Sequence, residues 1–264
     1  MTPDPRRAFI DLHCHTRSSF DSLADPVAVA RAALGRGLTH LAITDHDRID
    51  GALRARDGAP AGLTVIVGEE IKTAAGDLIA LFLERAVPPG RPVAETIAAV
   101  REQGGLIGVP HPFDRLRGSM GRNEALEAMV GLVDWVEAYN ARVLGGSGNE
   151  QAALFAHDHD MPGVAVSDAH STLEVGVAYT TLTGDPSTAA GLLAALSSAQ
   201  LVTGRATYFA RLVTPIAKLV QRSRGNGRVS GGAGPAAGPD ADPDGGPEVD
   251  ADDGTALAPG EHGR

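Results

Sequence analysis

What most constrains this chain is a recurring unit: a short apolar run, a metal-capable or polar residue at its end, then a stretch with helical spacing. Residues 9–13 read as a strand, and a helix follows from about Pro26, a favourable early helical position, to residue 34. Residues 39–44 and 63–67 form further buried strands, and a strand at 77–83 follows too soon for a helix between them. Then come a helix at 93–103, a strand at 106–109, a helix around 123–130 and a strand at 133–139. A helix at 149–157, strands at 164–166 and 177–182, and a helix at 188–196 complete the pattern. Alternating strands and helices imply a largely parallel α/β sheet covered on its faces. No internal repeat is present, which excludes a solenoid.

The pattern stops near Arg222. From there to Arg264 the chain is Gly, Pro, Ala and Asp with almost no large apolar residue, and such a stretch cannot bury enough surface to offset its conformational entropy. The expectation is a globular domain over residues 1–221 and a disordered, acidic Gly/Pro/Asp-rich tail over 222–264. The whole chain carries 23 Lys plus Arg against 33 Asp plus Glu, a formal charge of −10. That argues against non-specific nucleic-acid binding or attraction to an anionic membrane by the body of the protein. A single cysteine, Cys14, excludes an intramolecular disulfide and a multi-cysteine zinc site. No apolar run reaches the roughly 18 residues of a membrane span, so a soluble, cytoplasmic protein is expected.

The chemistry gathers at strand ends. His13 and His15 end the first strand in Asp11-Leu12-His13-Cys14-His15, and alternate strand residues share a face, so both imidazoles can converge on one ion. His157-Asp158-His159 offers the same spacing at the end of a helix, where i and i+2 do not face each other, and reads as solvated surface. Thr44-Asp45-His46-Asp47 ends the second strand and Glu69-Glu70 the third. His111 follows the strand at 106–109, Asn140 the strand at 133–139, and Asp168-Ala169-His170 the strand at 164–166. In a parallel barrel or open sheet the carboxyl ends of the strands face one crevice. Imidazoles and carboxylates suit Zn, Mn or Fe better than Ca or Mg alone, and their number exceeds what one zinc takes. The count therefore implies a multinuclear site. No G-x-S-x-G elbow and no phosphate-binding glycine loop follows a strand.

Taken together and in this order, Asp11-Leu12-His13-Cys14-His15-Thr16, Ser19-Phe20-Asp21, Thr44-Asp45-His46-Asp47, Gly68-Glu69-Glu70-Ile71, His111-Pro112 and Ser167-Asp168-Ala169-His170 resemble the PHP (polymerase and histidinol phosphatase) family of metal-dependent phosphoesterases. The resemblance covers about residues 8–185, and Glu174-Val175-Gly176 and Tyr179-Thr180 resemble the region that follows in small bacterial members. It implies a distorted (β/α)7 TIM-like barrel with a metal site at the C-terminal ends of the strands, holding two to three divalent ions (Mn, Zn or Fe). By position, His13 and His15 would share one ion with Glu70 and Asp168. Glu70 would bridge to a second ion held by His111 and Asn140, and Asp21, His46 and His170 would hold a third. Glu69 competes for the bridging role, Asp45 is expected to orient a histidine, and Asn140 stands where His-richer members carry histidine. A metal-bound water held by Glu70, Asp168 and His170 would attack phosphorus. Arg115, Arg117 and Arg142 are the arginines placed to bind a substrate phosphate, with Arg17 and Arg48 as weaker choices.

The implied activity is hydrolysis of a phosphomonoester or phosphodiester, carried by a nucleotide, an oligonucleotide end or a phosphorylated metabolite. Two other readings stay open on the sequence. One is an amidohydrolase-type C–N hydrolase, weakened because the only lysines are Lys72 and Lys218. The other is a metal-binding module without activity, since fold does not guarantee function.

Overall fold

The computed structural model describes residues 7–114, 123–206 and 208–228. Its strands are β1 (Arg7–Asp11), β2 (His40–Ile43), β3 (Thr64–Lys72), β4 (Asp77–Leu81), β5 (Leu106–Val109), β6 (Trp135–Asn140), β7 (Gly163–Val166), β8 (Tyr179–Thr183) and β9 (Gln200–Val202). Helices are α1 (Pro26–Gly35), α2 (Asp50–Asp57), α3 (Val93–Glu102), α4 (Asn123–Glu127), α5 (Ser147–Asp158), α6 (Ala189–Ala195) and α7 (Tyr208–Ser223). Helix α1 starts where it does because the Asp25 carboxylate accepts the Val27 and Ala28 amides, both at 3.0 Å, and Pro26 loses no hydrogen bond at the first position.

All nine strands form one sheet in the order β7-β6-β5-β4-β3-β2-β1-β8-β9. The largely parallel pairing expected holds only within β1–β2–β3 and β5–β6–β7. β4 folds back on β3 through a tight turn in which the Thr73 hydroxyl donates to Gly76 O at 2.6 Å, and it lies antiparallel to both β3 and β5. Because β4 reverses twice, β1, β2, β3, β5, β6 and β7 still point the same way, and their C-terminal ends share one rim. The sheet curls until its two flanks meet: the Thr180 hydroxyl on β8 accepts the Ala165 amide of β7 at 2.9 Å and donates to its carbonyl at 3.0 Å. Next to it, Cys14 makes a parallel bridge with Ala169. The expected distorted TIM-like barrel is present, built from more strands than seven βα units would supply.

Strand side chains alternate between two apolar layers. Leu41, Ile43, Val65, Val67, Ile107, Val109 and Val136 meet the buried faces of the outer helices, with Val29, Ala33, Ala52 and Phe155 opposite them. Ile10, Leu12, Ala42, Ile66, Ile79, Leu81, Trp135, Val164 and Val166 fill the inside of the barrel, with Leu192 and Leu196 beside them. Trp135 is the largest fully buried side chain, and a Cβ on Gly108 of β5 would fall 2.1 Å from its ring. Glycine at 108 thus makes room for an indole that plugs the interior below the rim.

Helical structure and contacts with the body continue past residue 222. Helix α7 runs through Ser223, Asn226 Nδ2 donates to Ser18 O at 3.2 Å, and Arg228 donates to Asp77 at 2.6 Å. The remaining tail, 229–264, falls outside the described residues. Among those described, no helix is long and apolar enough to cross a membrane.

Candidate metal centre

β1 ends at Asp11, but the chain stays extended, pinned by the Cys14–Ala169 bridge and by His15 N–H donating to Ala169 O at 2.8 Å. His13 and His15 consequently project to one side with their Nε2 atoms 2.9 Å apart, while the Cys14 thiol packs against Asp11 and Ser167. The carboxylate of Glu70, in β3, sits at the centre: one oxygen is 3.3 Å from His13 Nε2, 3.3 Å from His15 Nε2 and 3.2 Å from His46 Nδ1. Its other oxygen is 3.4 Å from His111 Nε2. Glu69 points to the opposite face, where it accepts the Val87 amide at 2.8 Å. Period-two geometry thus separates two glutamates that are adjacent in sequence, and Glu70 is the one facing the histidines. Asp168 Oδ1 approaches His15 Nε2 to 3.5 Å, and Asp21 Oδ2 lies 3.1 Å from His170 Nε2 and 3.4 Å from His46 Nε2.

Two groups of donors emerge, sharing His15. His13, His15 and Asp168 offer ligand atoms within 4.8 Å of one another, as do His15, Asp21, His46 and His170. All but His46 are buried. Three residues in the loops at this rim, Asp47, His111 and Asp168, have left-handed backbone with φ of 57°, 26° and 51°. Such conformations are uncommon outside glycine, and they turn the chain sharply at the strand ends.

The donor set fits divalent ions. The His13 Nδ1–H donates to Glu137 Oε1 at 2.6 Å, which leaves the lone pair of a neutral ring on Nε2, the nitrogen facing the cluster. Protons take the place of cations in the metal-free molecule. Burial disfavours a charged His13, but the carboxylates of Asp168, Glu137 and Glu70 outweigh it and hold its pKa well above the ordinary value. His15 is likewise raised to about 9 against the opposing effect of burial, through Asp168 and Glu70. Burial resists ionisation of Glu70 and Asp21, yet neighbouring imidazoles hold both well below the usual carboxylate range. Burial, and then the charge of Arg142, press His170 down to about 4, so its ring is neutral. Imidazole nitrogens and ionised carboxylates converging in a buried cluster suit Zn, Mn or Fe.

Several expected roles change. Asn140 does not turn its oxygen to the cluster: Oδ1 accepts the Arg142 amide at 2.9 Å, while Nδ2 donates to Glu137 at 2.8 Å and to Asp168 at 3.1 Å. A backbone N–H can only donate and a carboxylate only accept, so the amide orientation is fixed. In this arrangement Asn140 braces the Glu137 and Asp168 carboxylates. Among the described residues the Asp45 carboxylate accepts the Thr16 amide and hydroxyl, at 2.5 and 2.6 Å, and so holds the loop after His15. Arg142 spends its guanidinium on Glu174 at 2.7 Å and Thr214 at 2.9 Å and does not line the cleft. Arg115 and Arg117 lie outside the described residues. Arg17 pairs with Asp25 and Arg48 with Asp50, at 3.6 and 2.8 Å. His159 follows α5 directly, its Nδ1–H donating to Phe155 O at 2.9 Å and its Nε2 lying 2.8 Å from Glu127, and it belongs to neither group of donors.

Glu137 went unrecognised in the sequence, although a carboxylate inside the apolar run Trp135-Val136-Glu137-Ala138 is a visible signal. It is 1% exposed and takes three donors: His13 Nδ1, the His111 amide at 2.8 Å and Asn140 Nδ2. The cleft over the cluster holds about 230 Å³, and its lining adds Phe20, Asp77, Lys218 and Arg228 to the histidines and carboxylates.

The sequence matches the family described as PHP domain over residues 11–155, and that described as PHP-associated over residues 135–201. The chain belongs to the PHP domain family. An uncharacterized protein of Methanocaldococcus jannaschii is 34% identical over 143 residues, 50% of this chain and 81% of that one. A 5′-3′ exoribonuclease of Haemophilus influenzae is 28% identical over 117 residues, 39% of this PHP chain and 42% of the exoribonuclease. The fold is shared with a two-domain protein from Bacteroides vulgatus containing a predicted PHP-like metal-dependent phosphoesterase: the TM-score is 0.65 at 18% identity, over 77% of this chain and 68% of that one.

Proposed function

We propose that this PHP domain is a metal-dependent phosphoesterase, hydrolysing a phosphomonoester or phosphodiester of a nucleotide, an oligonucleotide end or a phosphorylated metabolite. The observation that carries the reading is the pair of His/Asp groups sharing His15 and faced by one carboxylate, Glu70, at the floor of an open cleft. When bound there, divalent ions supply Lewis acidity, neutralising phosphoryl oxygens and making water a competent nucleophile near neutral pH. The protein's own contribution is positional. His13, His15, Glu70 and Asp168 would hold one ion; Asp21, His46 and His170 would hold another; Glu70 and His111 would offer a third, weaker position. Glu137 fixes the His13 tautomer, and Asn140 steadies the Asp168 carboxylate. The metal is Mn, Zn or Fe.

The test is a panel of phosphomonoesters and phosphodiesters given to protein reconstituted with Mn²⁺, Zn²⁺ or Fe²⁺. Hydrolysis should disappear on chelation and in the variants His13→Ala, Glu70→Ala and Asp168→Ala, which should also lose metal. His157→Ala should retain both. Loaded protein inert towards every ester would favour a metal-binding module without activity.

A further inference from the structure

The cleft has a basic wall that comes from the C-terminal part of the chain. Lys218 and Arg228 both lie over the Phe20 ring, with Lys218 Nζ 5.4 Å and the Arg228 guanidinium carbon 5.8 Å from its centroid. The ring of Phe20 is in turn 4.8 Å from that of His46. One aromatic side chain therefore links the basic wall to the histidine cluster.

The two cations are not equivalent. Arg228 is neutralised, donating to Asp77 at 2.6 Å with Asp47 at 3.8 Å. Lys218 has no ion-pair partner among the described residues; its ammonium rests on an aromatic face, a weak contact that leaves its N–H donors for a ligand. Lys218 is also one of only two lysines in a chain otherwise charged by arginine. The helix that carries it is tied to the site. One turn further along α7, Gln221 Nε2 lies 2.6, 3.1 and 2.8 Å from the carbonyls of Arg17, Ser19 and Ser22, the loop that carries Phe20 and Asp21. Once divalent ions offset the carboxylates of the floor, Lys218 would be a half-buried cation with no counter-ion among the described residues, facing positive charge across the cleft. A compact, multiply charged anion is the occupant that resolves this.

We propose that Lys218 binds the non-bridging phosphoryl oxygens of the substrate, positioning the ester against the metal cluster; this rests on the phosphoesterase reading given above. Phe20 forms the apolar side of the same seat, and Arg228 braces it through Asp77.

The experiment uses the full chain loaded with Mn²⁺ and inorganic phosphate as the ligand, titrated calorimetrically. Lys218→Met should weaken phosphate about 10- to 100-fold, the loss expected for one hydrogen bond between charged groups. Metal content and melting temperature should not move, and Lys218→Arg should restore most of the affinity. With an ester that is turned over, Lys218→Met should raise KM more than it lowers kcat. Should the methionine variant not fold, Lys218→Gln keeps a polar tip and gives the same comparison. Phosphate binding equal to wild type in the folded variant overturns the assignment while leaving the hydrolase reading intact, and so does absence of phosphate binding by loaded wild type. Lys218-dependent phosphate binding without turnover of any ester supports the assignment and sinks the hydrolase reading.

Discussion

Replacing Glu137 by Gln tests whether this side chain sets the metal-binding tautomer of His13. The carboxylate accepts three donors: His13 Nδ1 at 2.6 Å on one oxygen, and the His111 amide and Asn140 Nδ2, both at 2.8 Å, on the other. Glutamine has the same shape but a single acceptor oxygen. The His111 amide cannot reverse, and Asn140 is held by the Arg142 amide on its oxygen, so the glutamine oxygen must face those two. Its NH₂ then faces His13 Nδ1, which must become an acceptor and move the ring proton to Nε2. That nitrogen points at His15, Glu70 and Asp168 and, once protonated, cannot bind a metal. Loss of a partner of this kind typically costs roughly 10- to 100-fold in metal affinity, about 1.4–2.8 kcal/mol. The His111 amide and Asn140 Nδ2 keep their acceptor and the new His13 Nε2–H faces Glu70 and Asp168, so the cost to the fold should be small, a few degrees of melting temperature, from the one new amide hydrogen without a partner. Competition of Zn²⁺ or Mn²⁺ between protein and a chromogenic chelator gives the affinity, and turnover should fall in parallel at sub-saturating metal. A Gln variant with wild-type affinity would refute the tautomer argument.

Stability of the metal-free protein should fall between pH 6.5 and 9. His15 has its pKa raised to about 9, so its contribution is complete below the unfolded value near 6.5 and lost as pH rises through 9, on the order of 3 kcal/mol at most. The window lies above Asp11 and Asp45, each pushed by burial to about 6. Denaturation of chelated and metal-loaded protein across it should show the loss only in the chelated form; equal slopes would contradict it. Truncation after Arg228 should leave melting temperature and turnover unchanged, whereas truncation after Val220 should lower both, since it deletes Gln221, Asn226 and Arg228; a harmless cut after Val220 would show those contacts to be idle. Elemental analysis after dialysis should find two tight ions, with a third only in excess metal, because Asn140 Nδ2 is turned to Asp168. Three tight ions in dialysed protein would show the third position to be complete without it.

Much of the barrel was legible because burial on both faces leaves an unmistakable apolar run. The strand read at 106–109 coincides with β5, and the strand-end histidines and acids converge as parallel geometry requires. Legibility failed where tertiary contacts override local pattern. Helix α2, with the sequence Asp-Gly-Ala-Leu-Arg-Ala-Arg-Asp, is polar and carries a helix-weakening glycine at its second position. Gly51 is there for space, since a Cβ would fall 2.1 Å from Asp45 Oδ2. The Glu69/Glu70 choice was open because β3 read as ending at Val67, whereas hairpin pairing with β4 extends it to Lys72 and fixes which glutamate faces inward. Asn140 read as a ligand from its position alone; only its neighbours, Glu137 and the Arg142 amide, show which end of the amide faces the cluster. Lys218 carries no local signal: nothing in the sequence around it announces that helix α7 packs it on Phe20, in a loop about 200 residues earlier.

That helix has a consequence for how the protein is made. The carbonyls of Arg17, Ser19 and Ser22 find their donor in Gln221, 199 to 204 residues later in the chain. Emerging N-terminus first, the nascent polypeptide displays His13, His15 and Asp21 long before the side chain that locks their loop leaves the ribosome. A contact of such sequence separation is also among the slowest to form. Assembly of the complete ligand geometry is therefore expected to wait for the last part of the folded chain, and an N-terminal fragment carrying most of the histidines should hold its loop less firmly than the whole protein does.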